Sequence, residues 1–398
     1  MVSRQEAEQR LLQAPWRQDD DLQRLFDVLE GARGRVRAVG GVVRDTLMAH
    51  DRTSTDIDLA TELTPQEVIA RTKAAGIAAY PTGIEHGTVT VRAGACVAEV
   101  TTLREDVETD GRHAVVRFGT DWSRDAARRD FTLNALYCSA DGSLFDPLGG
   151  IEDCLAARIR FIGDADRRIA EDRLRVYRFF RFSASHGHQH FDPDGLEACR
   201  GAAGALSNLS AERVGSEMTR MLSLVKVART IEQMAGIGIV DFARERLGQL
   251  AAYETLAQFP RRGGRLALLA GIGGEAALQR LWRLSNDDTQ AAENTNKAAA
   301  LINLGALNEA VYRYPQQVED AVAVAAAIGG RGAEEVAQNR QRLKTLIVPR
   351  FPVSGADLLR HGMKPGKAVG QELARLERIW IESGFLLDRD ELLGRIGA

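Results

Sequence analysis

Two carboxylates stand two residues apart in the stretch Ser54–Thr61, which reads STDIDLAT. Asp56 and Asp58 flank Ile57, and Leu59 follows. Alternation of this kind describes a β-strand, which puts both acids on one face, about 7 Å apart along the chain. Like charges held that close repel, unless the face is simply wet or something positive belongs between them. Hard cations such as Mg²⁺ prefer carboxylate oxygens and keep several waters. Two such ions about 3.5–4 Å apart can clamp the attacking and leaving oxygens of a phosphoryl transfer. The pair alone leaves both readings open. Glu99, in CVAEVTTL, is either a third carboxylate from a neighbouring strand or an ordinary strand charge.

Four further stretches carry chemistry-bearing residues. VGGVVRD (39–45) ends a strand on Gly40 and Gly41 and starts a helix at once. Glycines let backbone approach a ligand, free N–H groups suit phosphate, and Arg44 is placed to reach back to an oxyanion. RRDFTLNALY (128–137) sets Arg128 and Arg129 beside Asp130, a pattern suited to triphosphate or ribose and equally to a salt bridge at a helix start. EDRLRVYRFFRF (171–182) repeats Asp172, Arg175, Arg178 and Arg181 every third residue. On one helix these four make a drifting stripe, with Phe179, Phe180 and Phe182 turned toward a core. From Arg158 to Arg181 there are eight arginines against four acids, a local excess suited to an anionic partner. REDVETDGRHAVVRF (104–118) alternates Arg104, Asp106, Asp110 and Arg112 around a glycine and reads as a mobile loop or a surface hairpin.

The elements that must position these groups change character along the chain. Residues 1–30 read as helical, from Leu11, Leu12, Leu22, Leu25, Phe26 and Leu29. Strand-like runs then appear at RVRAVGG, TDIDLAT, GTVTVRAG and CVAEVTTL, with a helix predicted after the Gly pair and a second in TPQEVIARTKAAG. That second helix takes Thr64 as N-cap, Pro65 as its first residue and Gly76 as its stop. DPLGGIED (146–153) reads as a turn closing this compact mixed α/β domain. Beyond Asp153 the strand signals nearly vanish, and the remaining residues, rich in Ala, Leu, Arg and Glu, read as helices in several sub-bundles. The 398 residues allow two to four domains. A net charge of −3 rules out a general polycation, so any nucleic-acid surface must be local. Four scattered cysteines without CxxC spacing indicate a reduced, cytoplasmic protein. The charged N-terminal stretch lacks a signal-peptide core, and no apolar run is long enough to span a membrane.

Taken in order, GGVVRD, DIDLAT, TGIEHGTVTV, EVTTLREDVETDGRH, RRDFTLNALY, DPLGGIED, EDRLRVYRFFRF and LSAERVGSEM resemble the CCA-adding enzymes of the tRNA nucleotidyltransferase/poly(A) polymerase family. The matching stretches cover roughly residues 36 to 220. The resemblance implies an α+β fold: a nucleotidyltransferase-type mixed β-sheet head (31–153) after an N-terminal helical segment (1–30). A helical neck (154–222), body (223–290) and tRNA-binding tail (291–398) follow. It implies template-independent addition of CCA to the 3′ end of tRNA from CTP and ATP, with release of pyrophosphate. Asp56 and Asp58, with Glu99 as a further candidate, would hold two Mg²⁺ ions. Gly40, Gly41, Arg44 and Arg129 would contact the nucleotide, and Asp172, Arg175, Arg178 and Arg181 would form the nucleotide-binding helix. Asp172 and Arg175 would face the base. The loop from Arg104 to His113 would take part in switching from C to A addition. No obligate protein partner is evident.

The chemistry is intelligible. Cytosine and adenine both offer an exocyclic amine beside a ring-nitrogen acceptor, which a carboxylate and a guanidinium can pair. Uracil and guanine would leave those groups unpaired, at a cost large enough for rejection. An A-adding enzyme and a poly(A) polymerase are the nearest alternatives; a catalytically dead RNA-binding protein would be expected to lose Asp56, Asp58 or the Asp172/Arg175 pair. The only His-Asp dipeptide, at His50, lies in the head, so no metal-dependent phosphohydrolase domain is expected.

Overall fold

The computed structural model describes residues 3–50, 57–109 and 114–397. Asp56, Asp110 and Arg112 lie outside the described residues. The chain divides into two compact units, one of residues 1–209 with 236–239, the other of 210–235 with 240–398.

The first unit opens with helices α1 (Arg4–Leu12) and α2 (Asp20–Val28), capped by Ser3 and Asp19. β1 (Val36–Val39), α3 (Gly41–Leu47), β2 (Ile57–Thr61) and α4 (Pro65–Ala74) follow. Thr64 caps α4, Pro65 opens it and Gly76 follows it at φ +70°, as the sequence predicts; Glu67 completes a capping box with Thr64. β3 (Ala78–Gly83), β4 (Thr88–Ala93), β5 (Cys96–Thr102), β8 (Tyr137–Cys138) and β9 (Leu144–Phe145) complete one sheet in the order β3-β4-β5-β2-β1-β8-β9. Only β2 and β5 run parallel, and their register sets Asp58 opposite Glu99. β6 (Arg104–Thr109) and β7 (Ala114–Phe118) form a separate two-stranded ribbon, so the polar excursion after β5 is a hairpin. α5 (Trp122–Ala127) covers the sheet, and Trp122 and Ala126 join a core with Val39, Ala60, Leu103 and Tyr137. The short strands β8 and β9 lie inside a stretch the sequence reading left without strands; tertiary pairing creates them, β8 against β1 and β9 against β8.

Four helices finish this unit: α6 (Gly150–Leu155), α7 (Ala165–Glu171), α8 (Arg175–Ser185) and α9 (Pro193–Ala202). Asp146 accepts from the N–H groups of Gly150 and Ile151, so DPLGGIED does turn into a helix. One sequence expectation fails here. Asp172 and Arg175 are not one turn apart on a common helix. Asp172 is extended (φ −149°, ψ 103°) at the end of α7, and its carboxylate accepts from the Leu174 N–H at 3.1 Å. The aspartate competes with the helix for a backbone donor, a habit of short acidic side chains, and divides the stripe. Phe179, Phe180 and Phe182 are buried, as predicted.

The second unit is helical throughout its described residues, from α10 (Ala211–Leu222) to α21 (Arg389–Leu393). Gly215 of α10 lies against the residue 282 backbone so closely that a Cβ would come 1.7 Å from the Trp282 carbonyl oxygen. Arg265 is fully buried and satisfied by Glu254 and the carbonyls of Leu222, Leu224 and Val225. A second core gathers Val353, Leu358, Leu376, Trp380, Ile381 and Leu393 near the C-terminus. No helix among the described residues is long and apolar enough to cross a membrane.

Candidate active site

The central strands aim their ends at a cleft of about 290 Å³ lined by Asp58, His86, Thr88, Thr101, Arg104, Arg128 and Arg129, with Val39 and Leu59. Asp58 is exposed while Ile57 and Leu59 on either side are buried. Glu99, also exposed, stands beside Asp58 on the adjoining strand. Both acids therefore share one wet face. An all-carboxylate donor set of this kind fits a hard divalent cation. Among the described residues no group of three metal-ligating side chains forms, and Asp56 is outside them.

The cationic wall comes from the end of α5. Arg128 donates from Nε and Nη2 to Asp125 Oδ1 at 2.9 and 2.7 Å, and Arg129 donates to Asp125 Oδ2 at 3.3 and 3.2 Å. Tyr137 completes the group, its hydroxyl donating to Asp125 at 2.9 Å. Burial of Asp125 disfavours its charge, but the two guanidiniums and the phenol outweigh that and hold its carboxyl below the usual range. Arg104 donates to the His86 carbonyl. Three arginines thus line a small cleft with Asp58, an arrangement whose charges suit an anionic chain beside a carboxylate.

Gly40 sits at φ +70°, ψ −124° between β1 and α3, and its N–H donates to the Leu136 carbonyl at 3.2 Å. The space around it would admit a Cβ; the backbone conformation is what requires glycine. A guanidinium nitrogen of Arg129 lies 3.9 Å from where that Cβ would stand, so the glycine turn adjoins the cationic wall. Arg44 is buried. It donates to Asn134 Oδ1 at 2.6 Å and to Asp45 Oδ1 at 2.8 Å, with Nη2 3.7 Å from an imagined Cβ on Gly41. It underpins the turn from inside.

The predicted recognition helix is likewise tied to the head. Arg178 grips Asp130 through Nε (2.8 Å) and Nη2 (2.5 Å). Arg175 donates to Glu171 at 2.8 Å and to the carbonyls of Arg168 (2.7 Å) and Arg128 (3.3 Å). Arg181 stacks 4.3 Å over Phe182. The structure brings Arg129 and Asp58 to one cleft and Gly40 beside it, and sets Arg44 and Arg178 in buried or half-buried supporting pairs.

Sequence reasoning missed Asp125, Asn134, Arg168 and His186. Asp125 stood three and four residues before the two arginines, a helical spacing that would have revealed it. His186 gives no such signal. It belongs to HGHQH (186–190), and its ring is buried, with Nε2 3.0 Å from Asp45 Oδ1 and Nδ1 2.6 Å from Ser185 Oγ. It stacks on His50 at 4.9 Å. Burial pushes its pKa down to about 4 against the opposing pull of Asp45, with Arg44 and His50 adding to the lowering. The unfolded chain therefore binds a proton between about pH 6.5 and 4 that the folded protein refuses, so acidification through that window costs stability and alkalinity above it does not. Urea midpoints measured from pH 7 to 4.5 should fall more steeply for the wild type than for His186→Gln; parallel curves would show that His186 is not the group titrating.

Residues 36–160 match the poly A polymerase head domain, and residues 190–243 match a probable RNA- and SrmB-binding site of polymerase A. The chain is 32% identical to mitochondrial CCA tRNA nucleotidyltransferase 1 of Danio rerio, over 95% of its own length and 90% of that protein. It is 30% identical to the CCA-adding enzyme of Limosilactobacillus fermentum, over 90% and 92%. Its fold matches a crystal structure of the Bacillus stearothermophilus CCA-adding enzyme in complex with CTP at a TM-score of 0.75 and 27% identity, covering 92% of this chain and 94% of that one. A nucleotidyltransferase head with an arginine-walled cleft is the class that fold and site define. The chain belongs to the CCA-adding enzymes, the tRNA nucleotidyltransferases that these full-length relatives represent.

Proposed function

We propose that the protein adds C, C and A in turn to the 3′ end of tRNA, using CTP and ATP and no template. The carrying observation is the cleft in which Asp58 faces Arg104, Arg128 and Arg129. Relatives matched along nearly the whole chain supply the substrate class, and the CTP-bound neighbour supports the nucleotide. The tRNA 3′-hydroxyl attacks the α-phosphorus and pyrophosphate leaves.

Asp56 and Asp58, with Glu99 as a further candidate, would hold two Mg²⁺ ions. Bound there, Mg²⁺ lowers the pKa of the attacking hydroxyl and offsets triphosphate charge. Arg129 and Arg128 neutralise the phosphate chain, and the Gly40–Gly41 backbone, underpinned by Arg44, lets it come close. Asp172 and Arg175 read the base edge. Arg178 and Arg181 support the helix that carries Arg175. Arg104, Asp106, Asp110 and Arg112 act in the change from C to A addition. The helices after the head serve as neck, body and tail that hold the tRNA. A reducing, cytoplasmic setting belongs to the same reading; four buried, unbridged cysteines support it, and a mitochondrial matrix would preserve them too.

The test is to incubate the protein with tRNA lacking its CCA end, with CTP and ATP separately and together. Products longer by two with CTP alone and by three with both are expected. A product longer by one with ATP alone, and no extension by CTP, would replace this reading with A addition; a long ladder with ATP would replace it with poly(A) synthesis. Arg175→Ala should lower the preference for CTP over UTP by roughly 10- to 100-fold, because the guanidinium partner of the base acceptor is lost. Single-turnover incorporation of each of the four triphosphates measures this, and an unchanged preference would remove Arg175 from base recognition.

A further inference from the structure

We propose that Arg168 is a positioning residue for the triphosphate-binding arginines, acting through the backbone that carries them. The inference rests on the reading of the cleft given above. Arg128 and Arg129 follow the last turn of α5, where helix carbonyls lack intrahelical partners. Their side chains are drawn to Asp125 and line the cleft, while their carbonyls are taken by groups from two other helices. Arg168, on α7 and 8% exposed, donates through Nη2 to both the Arg128 and Arg129 carbonyls. Arg175, at the start of α8, adds a bond to the Arg128 carbonyl at 3.3 Å. Glu171 Oε2 accepts from Arg168 Nη1 at 2.5 Å and from Arg175 Nη1 at 2.8 Å, which holds the two guanidiniums together.

A buried cation is a costly way to satisfy two carbonyls unless their direction matters. Here it does. The peptide between residues 128 and 129 sets the starting direction of both cleft-lining side chains. Asp125 holds their outer ends and Arg168 holds their roots. Releasing the roots lets the peptide turn and moves both guanidiniums off the phosphate path, and misplacement of about 1 Å can cost on the order of 100-fold. Because Arg175 shares both Glu171 and the Arg128 carbonyl, the base-reading arginine and the phosphate-binding pair belong to one hydrogen-bonded network.

The full-length variants Arg168→Gln and Arg168→Lys test this, with CTP addition to tRNA lacking its CCA end and with the affinity for inorganic triphosphate measured directly by calorimetry. In Arg168→Gln the KM for CTP and the Kd for triphosphate should both rise about tenfold, while the KM for tRNA stays within about twofold. Arg168→Lys keeps the charge and can offer one nitrogen to the two carbonyls, as Nη2 does, but it lacks the second nitrogen that pairs with Glu171, so an intermediate rise of about threefold is expected. A merely structural role would lower the melting temperature and the active fraction without moving either constant. Unchanged KM and Kd in both variants, or an equal rise in the tRNA KM, would overturn the proposal. Should Arg168→Gln fail to fold, Arg168→Lys decides it. A wild-type protein that adds no nucleotide would overturn the functional reading, and the triphosphate affinities would still decide the role of Arg168.

Discussion

Asp58→Ala is expected to abolish nucleotide addition with CTP and with ATP alike, by on the order of 10³-fold or more, while the protein stays folded. The chemical loss is large because a carboxylate that holds a divalent cation contributes several kcal/mol where charge develops, and each 1.36 kcal/mol is about a decade in rate. The folding cost is small because Asp58 is exposed on its strand, where substitutions shift stability by about 0.5 kcal/mol or less. Asp58→Asn separates charge from shape: the amide keeps the volume and loses the anion, so it should be nearly as inactive as alanine. The alternative, a solvated strand face with no cation, predicts near-normal rates in both variants. Extension of tRNA lacking its CCA end, followed at saturating Mg²⁺, distinguishes them. Full activity of Asp58→Ala would remove the metal assignment. Asp56→Ala carries the same expectation for its partner.

The second large effect is expected at Asp125, and there stability and function fall together. Asp125 is 1% exposed and accepts from Arg128, Arg129 and Tyr137. Removing one member of a buried ion pair costs about 3–5 kcal/mol, because the partners stay buried and uncompensated. Here two guanidiniums would be released at once toward the cleft, so Asp125→Ala should lower the urea midpoint sharply and raise the KM for CTP in the fraction that folds. Asp125→Asn is informative because it keeps an acceptor for one arginine. It should recover part of the stability and little of the CTP affinity. The acid dependence has a definite sign. The folded carboxyl titrates below its unfolded value, so its stabilisation is complete above about pH 4 and is lost as pH falls further. Wild-type behaviour of Asp125→Ala in both urea and CTP titrations would contradict the reading of this residue as the anchor of the cationic wall.

Much of this molecule is legible without coordinates, for reasons that particular elements make plain. The helix after Thr64 declares itself because cap, proline and stop are local signals, each acting within one turn. The DID alternation declares β2, since period two is imposed by the pleat, and the burial of Ile57 and Leu59 around exposed Asp58 repeats it. The phenylalanines of α8 fall on a buried face by the same logic.

Local spacing and residue type thus specify an inventory: a mixed α/β head, a helical remainder, and the residue types of a phosphate-handling site in their order. Tertiary structure alone decided the pairings. It set Glu99 beside Asp58, because parallel register between β2 and β5 depends on the 34 residues between the two strands folding back. It separated Asp172 from the arginine stripe of α8, because a carboxylate took the Leu174 N–H that a continuous helix would have used. It gave Arg44 to Asn134 and Asp45, Arg178 to Asp130 and Arg168 to two carbonyls, since a buried guanidinium must find acceptors wherever the packed chain offers them. Sequence spacing reports neighbours within a helix or strand; which distant carboxylate or carbonyl meets a given arginine is a property of the packed core.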